Sequence, residues 1–402
     1  MEDISLASRV LQHLRINRDN ILRGNVNCIP SPLTRFRRDF VGIQRGMYYL
    51  ISASQKCGKT QFASSVFLYS ALDFAFKNPD KVRLKVMYYP LEETKEKIMT
   101  RYMSHLLYQI SEGRIRVSPE DLESIDERRV MPESILNMLE SDDYKERFSF
   151  FEKCVQFSEE RNPTGMYKEV KSYCELHGDI VMKDIEYVDT STGEVVRHKK
   201  FDHYIPKDSN EYVLWLIDHI SLINTERGMD LRESINKLSE YAVVMRNRYG
   251  VSPVFIQQQS VETQNLEAFK AKKIRPTASG LADSKYPAKD CSMMIGLSSP
   301  YMFEIPEYMK YDITEFRDNI RFMEIVLNRH GNSNGMEALY FDGATCTFKE
   351  LPPPSKVTAI ARFLEFIRER DKRQEEHNGI VLFSYVAKHS KFVTKVRELF
   401  NL

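Results

Sequence analysis

Residues 47–60, MYYLISASQKCGKT, decide the fold of this chain. Their first half is an apolar run with the aromatic and β-branched content of a buried strand, and the segment at 59–76 that follows has a helical pattern. The polar loop between them approaches the pattern GxxxxGK[ST], in which backbone N–H groups surround a phosphate at the start of a helix. This stretch therefore predicts a nucleotide site between a strand and a helix.

The loop supplies the residues expected to contact the nucleotide. In this pattern the lysine reaches the β- and γ-phosphates, and the hydroxyl of the last residue binds Mg²⁺, so ATP and Mg²⁺ are the expected cofactors. Ala53 replaces the first glycine of the pattern, which is tolerable only if its φ is negative. The alternative is a chance loop. The predicted nucleotide contacts are Ala53, Ser54, Gln55, Lys56, Cys57, Gly58, Lys59, Thr60 and Gln61.

Two later strand ends supply carboxylates. Residues 211–221, EYVLWLIDHIS, run into Asp218, and residues 84–94, LKVMYYPLEET, end in Glu92 and Glu93. Because ligands bind at the carboxyl ends of parallel strands, Asp218 is predicted to complete the Mg²⁺ site with Thr60. Glu92 is predicted to be the general base that activates water. The alternatives are an aspartate that starts a turn and, for Glu93, an acid favoured by a helix N-terminus.

The rest of the chain alternates short apolar runs with helical stretches. This alternation predicts an α/β domain with a mostly parallel sheet covered by helices on both faces. An inserted β-hairpin is expected at 179–206, an amphipathic helix at 4–19, and helices in the tail at 357–368 and near 392–400. Further strands are expected at 154–157, 213–217, 253–256, 292–297 and 322–327, with a closing hairpin formed by 338–341 and 345–349.

Composition excludes several classes of protein. The 58 basic and 57 acidic residues give a net charge of +1, which excludes nucleic-acid binding through bulk positive charge. An apolar content of 42% excludes a largely disordered chain. The six cysteines lack the spacing of a zinc site or a disulfide framework. No apolar run approaches the roughly 20 residues of a membrane span, so a cytoplasmic protein is expected.

In their order along the chain, these segments resemble the RecA-like ATPase domain of DnaB-type replicative helicases. Residues 34–58 are similar to that family's approach to its phosphate loop, where alanine is common at the position of Ala53. The stretch YYPLEETKEKIMTRYMS resembles the strand that carries the catalytic glutamate, which falls on Glu92. Residues 162–178 and the segment LIDHISLI resemble the helix and strand of the magnesium site.

The resemblance implies further site residues. Gln259 matches the glutamine that senses the γ-phosphate, although three successive glutamines leave its register open. Arg329 matches an arginine finger supplied to the neighbouring subunit, while Leu327 stands where the family usually has a second basic residue. The alternatives are a polar strand end for Gln259, a solvated arginine for Arg329 and, for the basic loop described next, a solvated charged face. The loops at 262–290 match those that hold single-stranded DNA through Lys270, Lys272, Lys273 and Arg275.

The implied protein is an ATP-dependent, ring-forming DNA helicase that translocates on single-stranded DNA during replication. A finger acting in trans implies a homo-oligomeric ring, expected to be a hexamer, with a primase or a helicase loader as a further partner. The implied organisation is a linker helix at 1–32 that docks on the adjacent subunit, an ATPase domain at 33–352 and a helical tail at 353–402. The alternative function is a RecA-like ATPase that assembles on DNA or loads partners without processive unwinding.

Overall fold

The computed structural model describes residues 5–125, 130–188, 191, 193–260, 274–333, 335–376 and 381–382. Its strands are β1 Ile29–Pro30, β2 Gly42–Ile43, β3 Tyr49–Ala53, β4 Arg83–Pro90, β5 Ile115–Arg116, β6 Val155–Phe157, β7 Gly178–Val188, β8 Val195–Pro206, β9 Glu211–Asp218, β10 Ser252–Gln258, β11 Met293–Ser298, β12 Glu307–Tyr308, β13 Tyr311–Asp312, β14 Ile320–Asn328, β15 Met336–Asp342, β16 Thr347–Glu350 and β17 Val381–Leu382.

Helices cover both faces of the sheet. They are α1 Leu6–Leu22, α2 Lys59–Ala63, α3 Ser70–Lys77, α4 Lys95–Ile110, α5 Pro119–Leu122, α6 Glu133–Leu139, α7 Asp142–Cys154, α8 Pro163–Leu176, α9 Leu231–Tyr249, α10 Tyr286–Asp290, α11 Ile313–Phe316 and α12 Val357–Glu376. A π-helical segment, Ser64–Tyr69, joins α2 to α3. Within the described residues, none of these helices has the length and apolar content that a bilayer crossing requires.

Among the residues that the structure describes, the central sheet has nine strands in the order β16-β15-β14-β11-β3-β10-β9-β4-β6. The six strands from β11 to β6 pair in parallel, and β14, β15 and β16 extend the sheet as an antiparallel edge. Because β3 is central, the loop that follows it lies between the carboxyl ends of β10 and β11. The predicted α/β fold with a mostly parallel sheet is confirmed.

Alternation along each strand explains why the sheet is buried on both faces. In β9, Tyr212, Leu214 and Leu216 belong to the core on one face, which includes the helix after the phosphate loop. Trp215 and Ile217 point the other way, into the core formed with α8 and α9. Successive side chains of a strand point to opposite faces of the sheet. Because both faces are buried here, both sets of side chains are apolar, and the strand is a continuous apolar run in the sequence.

Two segments outside the minimal core are defined, the inserted hairpin and the first tail helix. The predicted inserted hairpin is formed by β7 and β8, which pair in antiparallel fashion from Gly178–Pro206 to Val188–Val195. The predicted tail helix is α12, and it packs on β14 and β15 through Phe363, Phe366 and Ile367. The helix expected near 392–400 lies outside the described residues.

A buried ionic cluster ties α12 to the sheet. Arg116 donates two hydrogen bonds to the carboxylate of Asp342, at 2.7 and 2.9 Å, and that carboxylate is 1% exposed. Arg370 of α12 donates to the hydroxyl of Tyr340 and lies 3.7 Å from Asp342. Burial opposes ionisation of Asp342, but the charge of Arg116 holds its pKa below the ordinary value.

We expect Arg116→Met to lower the free energy of unfolding by about 3 kcal/mol, because it leaves a buried carboxylate without its main partner. Arg83→Met is the control, since its ion pair with Asp208 is solvent-exposed and contributes under about 1 kcal/mol. Urea unfolding at pH 7 measures both. Because folding lowers the pKa of Asp342, its ion pair stabilises the fold at pH values above the ordinary carboxyl pKa, and this stabilisation is lost as the carboxylate is protonated. The effect of Arg116→Met should therefore shrink as the pH falls below about 4. An equal effect at all pH values would contradict this.

Candidate nucleotide-binding and catalytic site

The loop after β3 turns sharply into α2. Gly58 precedes the first residue of α2 with a φ of +90°, which L side chains rarely adopt. The ring of Phe341 would lie 3.4 Å from a Cβ at this position. Ala53, by contrast, is the last residue of the extended strand β3, where a methyl group is accommodated. The structure therefore explains why the loop keeps one glycine of the pattern and not the other.

The predicted magnesium ligands come from the start of α2 and the end of β9, which meet. Thr60 Oγ1 donates a hydrogen bond of 3.2 Å to Asp218 Oδ1 at the end of β9. Asp218 and the neighbouring Lys59 are both buried. Burial raises the pKa of Asp218 to about 7, although the Thr60 hydrogen bond and the charge of Lys59 act in the opposite direction. A buried carboxylate of this kind is stabilised as an anion when a cation binds beside it.

These donors fit Mg²⁺. A hydroxyl and a carboxylate are hard oxygen ligands, and Mg²⁺ with a nucleotide takes few protein ligands and completes its shell with phosphate oxygens and water. Among the described residues, no group of three or more His, Cys, Asp or Glu side chains is arranged as a self-sufficient metal site. The Thr60–Asp218 pair is thus suited to a metal that arrives with the nucleotide.

The two glutamates after β4 have different environments. Glu93 accepts two hydrogen bonds from the guanidinium of Arg101, at 2.7 and 2.5 Å, and both side chains are largely buried. The side chain of Glu92 is 49% exposed, and its Oε2 lies 3.9 Å from Nε2 of His219, the residue after Asp218. Glu93 is therefore engaged in an internal ion pair, whereas Glu92 has its carboxylate at the mouth of the site.

The three glutamines at the end of β10 separate by strand alternation. Gln258 accepts a hydrogen bond from Gln55 of the phosphate loop at 3.5 Å, and its Nε2 lies 3.3 Å from Nε2 of His219. Gln259 faces the opposite side, where its Nε2 donates to Ser52 Oγ at 2.8 Å and to the carbonyl of Thr277 at 3.2 Å. The structure thus places Gln258 beside the phosphate loop and Gln259 between β3 and Thr277, which belongs to the predicted DNA loops.

Two of the basic residues predicted by resemblance, Arg329 and Arg275, are paired with groups of their own chain. Arg329 donates to the carbonyls of Cys291 and Lys289, next to the amino end of β11. Arg275 donates to Glu324 at 2.7 Å, so its guanidinium is held against β14. The predicted DNA contacts Lys270, Lys272 and Lys273 lie outside the described residues.

Arg321 is a site residue that the sequence did not reveal. It is 1% exposed, and its Nε donates to the carbonyl of Cys57 in the phosphate loop at 2.9 Å. Its other hydrogen bonds go to Asp318 and Ile320, and its guanidinium lies 4.3 Å from the ring centre of Phe341. By donating to the Cys57 carbonyl, Arg321 fixes this part of the phosphate loop in place.

We expect Arg321→Met to weaken ATP binding by about tenfold, because the loop that this arginine fixes must then be ordered when ATP binds, and an ordering cost of about 1.4 kcal/mol is tenfold. Arg321→Lys should recover part of this loss, because an ammonium can still donate to the carbonyl. Arg317→Met, at an exposed arginine nearby, is the control. Equilibrium binding of ATP measures the effect, and unchanged affinity in a folded Arg321→Met chain would contradict it.

The fold is similar to that of RecA-like ATPase domains of helicases. Two solved structures are similar to it, each with 16% sequence identity. The first, described as an ATPase domain, has a TM-score of 0.61 and covers 87% of this chain and 100% of its own. The second, described as a DnaB-like replicative helicase and its interactions with primase, has a TM-score of 0.57 and covers 86% of this chain and 67% of its own.

The resemblance to DnaB-type ATPase domains that the sequence predicted is therefore confirmed at the level of the fold. No family model matches the sequence, and no curated protein matches it.

Proposed function

We propose that this chain is an ATP-dependent DNA helicase of the DnaB type, which forms a ring and translocates on single-stranded DNA during replication. One observation carries the proposal. The Thr60–Asp218 pair, Lys59 and Glu92 meet at the carboxyl edge of the sheet, whereas Arg329 lies at the opposite edge. A motor needs this division if one subunit binds each ATP and the next subunit supplies the arginine that completes the catalytic site.

Within one chain, each residue has a separate task in ATP hydrolysis. Loop N–H groups and Lys59 bind the phosphates, and Thr60 and Asp218 would hold Mg²⁺, which neutralises charge on the phosphates. Glu92 accepts a hydrogen bond from the attacking water and orients it. Gln258 lies close enough to the loop to report on the γ-phosphate through Gln55.

Strand register keeps Arg329 away from its own phosphate loop. Met293 pairs with both Asn328 and Tyr49, so Arg329 lies near the start of β3. The phosphate loop begins after Ala53, four residues farther along, and at roughly 3.3 Å per residue this separates the two by about 13 Å. An arginine at this edge suits the nucleotide of an adjacent subunit, where its charge would stabilise the γ-phosphate in the transition state.

Helix α1 suits a contact between subunits. Its described contacts with the rest of the chain include the ion pair of Arg9 with Asp202 at 2.8 Å and the hydrogen bond of Asn27 to the carbonyl of Asn17 at 2.8 Å. The apolar side chains along it are about half exposed, including Val10, Leu11, Leu14, Ile16 and Ile21. We assign this apolar face to the adjacent subunit of a homo-oligomeric ring, most simply a hexamer.

Gln259 provides a path between nucleotide and DNA. Its amide joins Ser52, two residues before the phosphate loop, to Thr277, four residues after the predicted DNA-binding lysines. A shift of β3 when ATP is hydrolysed would therefore reach the base of the DNA loop. Because Arg275 is paired with Glu324, we assign DNA contact mainly to Lys270, Lys272 and Lys273.

We expect single-stranded DNA to stimulate ATP hydrolysis, and replacing Lys270, Lys272 and Lys273 with alanine to weaken DNA binding. Loss of three phosphate contacts should reduce the slope of log affinity against log salt by about 2, since each contact to a single strand contributes about 0.7. The control removes three exposed charges from the inserted hairpin, Arg197, Lys199 and Lys200. Equal DNA affinity in the two variants would contradict the assignment of these lysines.

The proposed function also implies partner proteins. One structural neighbour is described together with primase, and a primase or a helicase loader is the corresponding partner class for this chain. A replicative role places the protein in the cytoplasm.

The second candidate is a RecA-like ATPase that assembles on DNA or loads partners without processive unwinding. Leu327 favours it, because this side chain packs against the core on the α9 face and offers no charge to a neighbour. Such a protein would hydrolyse ATP on DNA and leave a duplex intact, so strand displacement distinguishes the two candidates.

A further inference from the structure

A large cavity lies on the face of the sheet that carries α4. Its volume is about 1110 Å³, and its walls come from residues 30–37, the helical segment after the phosphate loop, the end of α4, β16 and the start of α12. None of the loop residues from Ser54 to Gly58 lines it. It is therefore distinct from the nucleotide site described above, and its volume, slightly above the usual range of about 300–1,000 Å³, leaves room for a small-molecule ligand.

The cavity is positively charged because its acids are already engaged. Asp73 binds Lys77 at 2.8 Å and Arg147 at 3.1 Å, and Glu112 lies 3.6 Å from Arg114. Glu350 accepts hydrogen bonds from the backbone N–H groups of Arg35 and Phe36, at 3.0 and 2.8 Å. No acidic side chain within the described ranges forms an ion pair with the remaining lining bases at the rim, Arg37, Lys356 and Arg362.

The interior combines aromatic surface with buried polar atoms. Tyr69, Phe74, Tyr108 and Phe348 line it, and the hydroxyls of Tyr69 and Tyr108 are buried without a hydrogen-bond partner in the described part of the chain. The ammonium of Lys349 lies 5.5 Å from the ring centre of Tyr108, and burial lowers the pKa of Lys349 to about 8. These walls offer a ligand aromatic surface, with the positive charge of the Lys349 ammonium beside it.

We propose that this cavity binds a nucleotide, separately from the phosphate loop. Phosphate oxygens would pair with Arg37, Lys349 and Arg362, and the base would lie against the aromatic walls. Helix α1 of a neighbouring subunit is a poor occupant, because it carries Arg9, Arg15 and Arg18 and would oppose the positive lining.

The position of the cavity gives such a ligand a route to the catalytic site. Ser65 and Tyr69 belong to the π-helical segment that directly follows α2, and π-helical turns are frequent at functional sites. The ring of Phe348 packs at 5.3 Å on Phe62 of α2 and at 4.8 Å on Phe341, the ring that a side chain at Gly58 would meet. A nucleotide bound here would alter the packing beneath the phosphate loop and thereby the rate of hydrolysis there.

The test is the number of ADP molecules bound per full-length chain, measured by equilibrium dialysis. We expect two for the unchanged chain and one for Lys59→Ala. In the Lys59→Ala chain, ADP affinity should fall at least tenfold when Lys349→Met is added. The paired rim changes Arg37→Gln and Arg362→Gln should have the same effect, which covers the case in which Lys349→Met does not fold. Lys207→Met, at an exposed lysine outside the cavity, is the control.

Three results would overturn the proposal. They are one ADP bound per unchanged chain with none bound by Lys59→Ala, residual binding in Lys59→Ala that neither set of cavity changes weakens, and displacement of that ADP by inorganic tripolyphosphate at equal concentration, which would show a site for phosphate groups alone. Each is independent of ATP hydrolysis and DNA unwinding, so failure here is separate from failure of the proposed helicase function.

Discussion

Replacing Arg329 with alanine should lower the rate of ATP hydrolysis by about 10³-fold or more, the effect expected of an arginine finger. The side chain lies at the edge of the sheet opposite its own phosphate loop, so ATP binding to the same chain should be unchanged. The control is Arg197→Ala, at an exposed arginine of the inserted hairpin. Steady-state hydrolysis and ATP binding measured on the same preparations separate the two effects.

Subunit mixing tests whether the arginine acts in trans. In a ring of Arg329→Ala and Lys59→Ala chains, some interfaces join an intact phosphate loop to an intact arginine. Such mixtures should regain a measurable part of the hydrolysis that each variant lacks alone. Mixtures as inactive as the separate variants would show that Arg329 does not serve the nucleotide of a neighbour.

Glu92→Gln should lower the rate of hydrolysis by about 10²–10⁴-fold, the contribution of a general base. Glutamine keeps the shape of the side chain but cannot accept a proton from water, so ATP binding should remain. The matched control is Glu96→Gln, the same change at an exposed position in the first turn of α4. Single-turnover hydrolysis measures the chemical step, and a normal rate in Glu92→Gln would remove this residue as the base.

Much of the fold was predictable because its signals are local. The apolar run, loop and helix at 47–76 define β3 and the phosphate loop, and the apolar run into Asp218 predicts the strand end that meets Thr60. These inferences need only strand and helix periodicity and the rule that parallel strands present their carboxyl ends together.

The remaining parts of the site depend on side-chain direction and on contacts between distant segments. Three consecutive glutamines look alike in sequence, and only the pleat of β10 shows that Gln258 and Gln259 face opposite sides. Arg321 and Cys57 are 264 residues apart, so no local pattern could join them. The ion pair that engages Glu93 became visible only when α4 brought Arg101 beside it.

The central claim is that ATP hydrolysis at this site drives strand separation. The most direct measurement is displacement of a labelled strand from a forked DNA duplex, with ATP present and with the Lys59→Ala chain as control. The account predicts displacement by the unchanged chain, dependent on ATP and absent for Lys59→Ala. DNA-stimulated ATP hydrolysis without any strand displacement would contradict it and favour an ATPase that assembles on DNA without unwinding it.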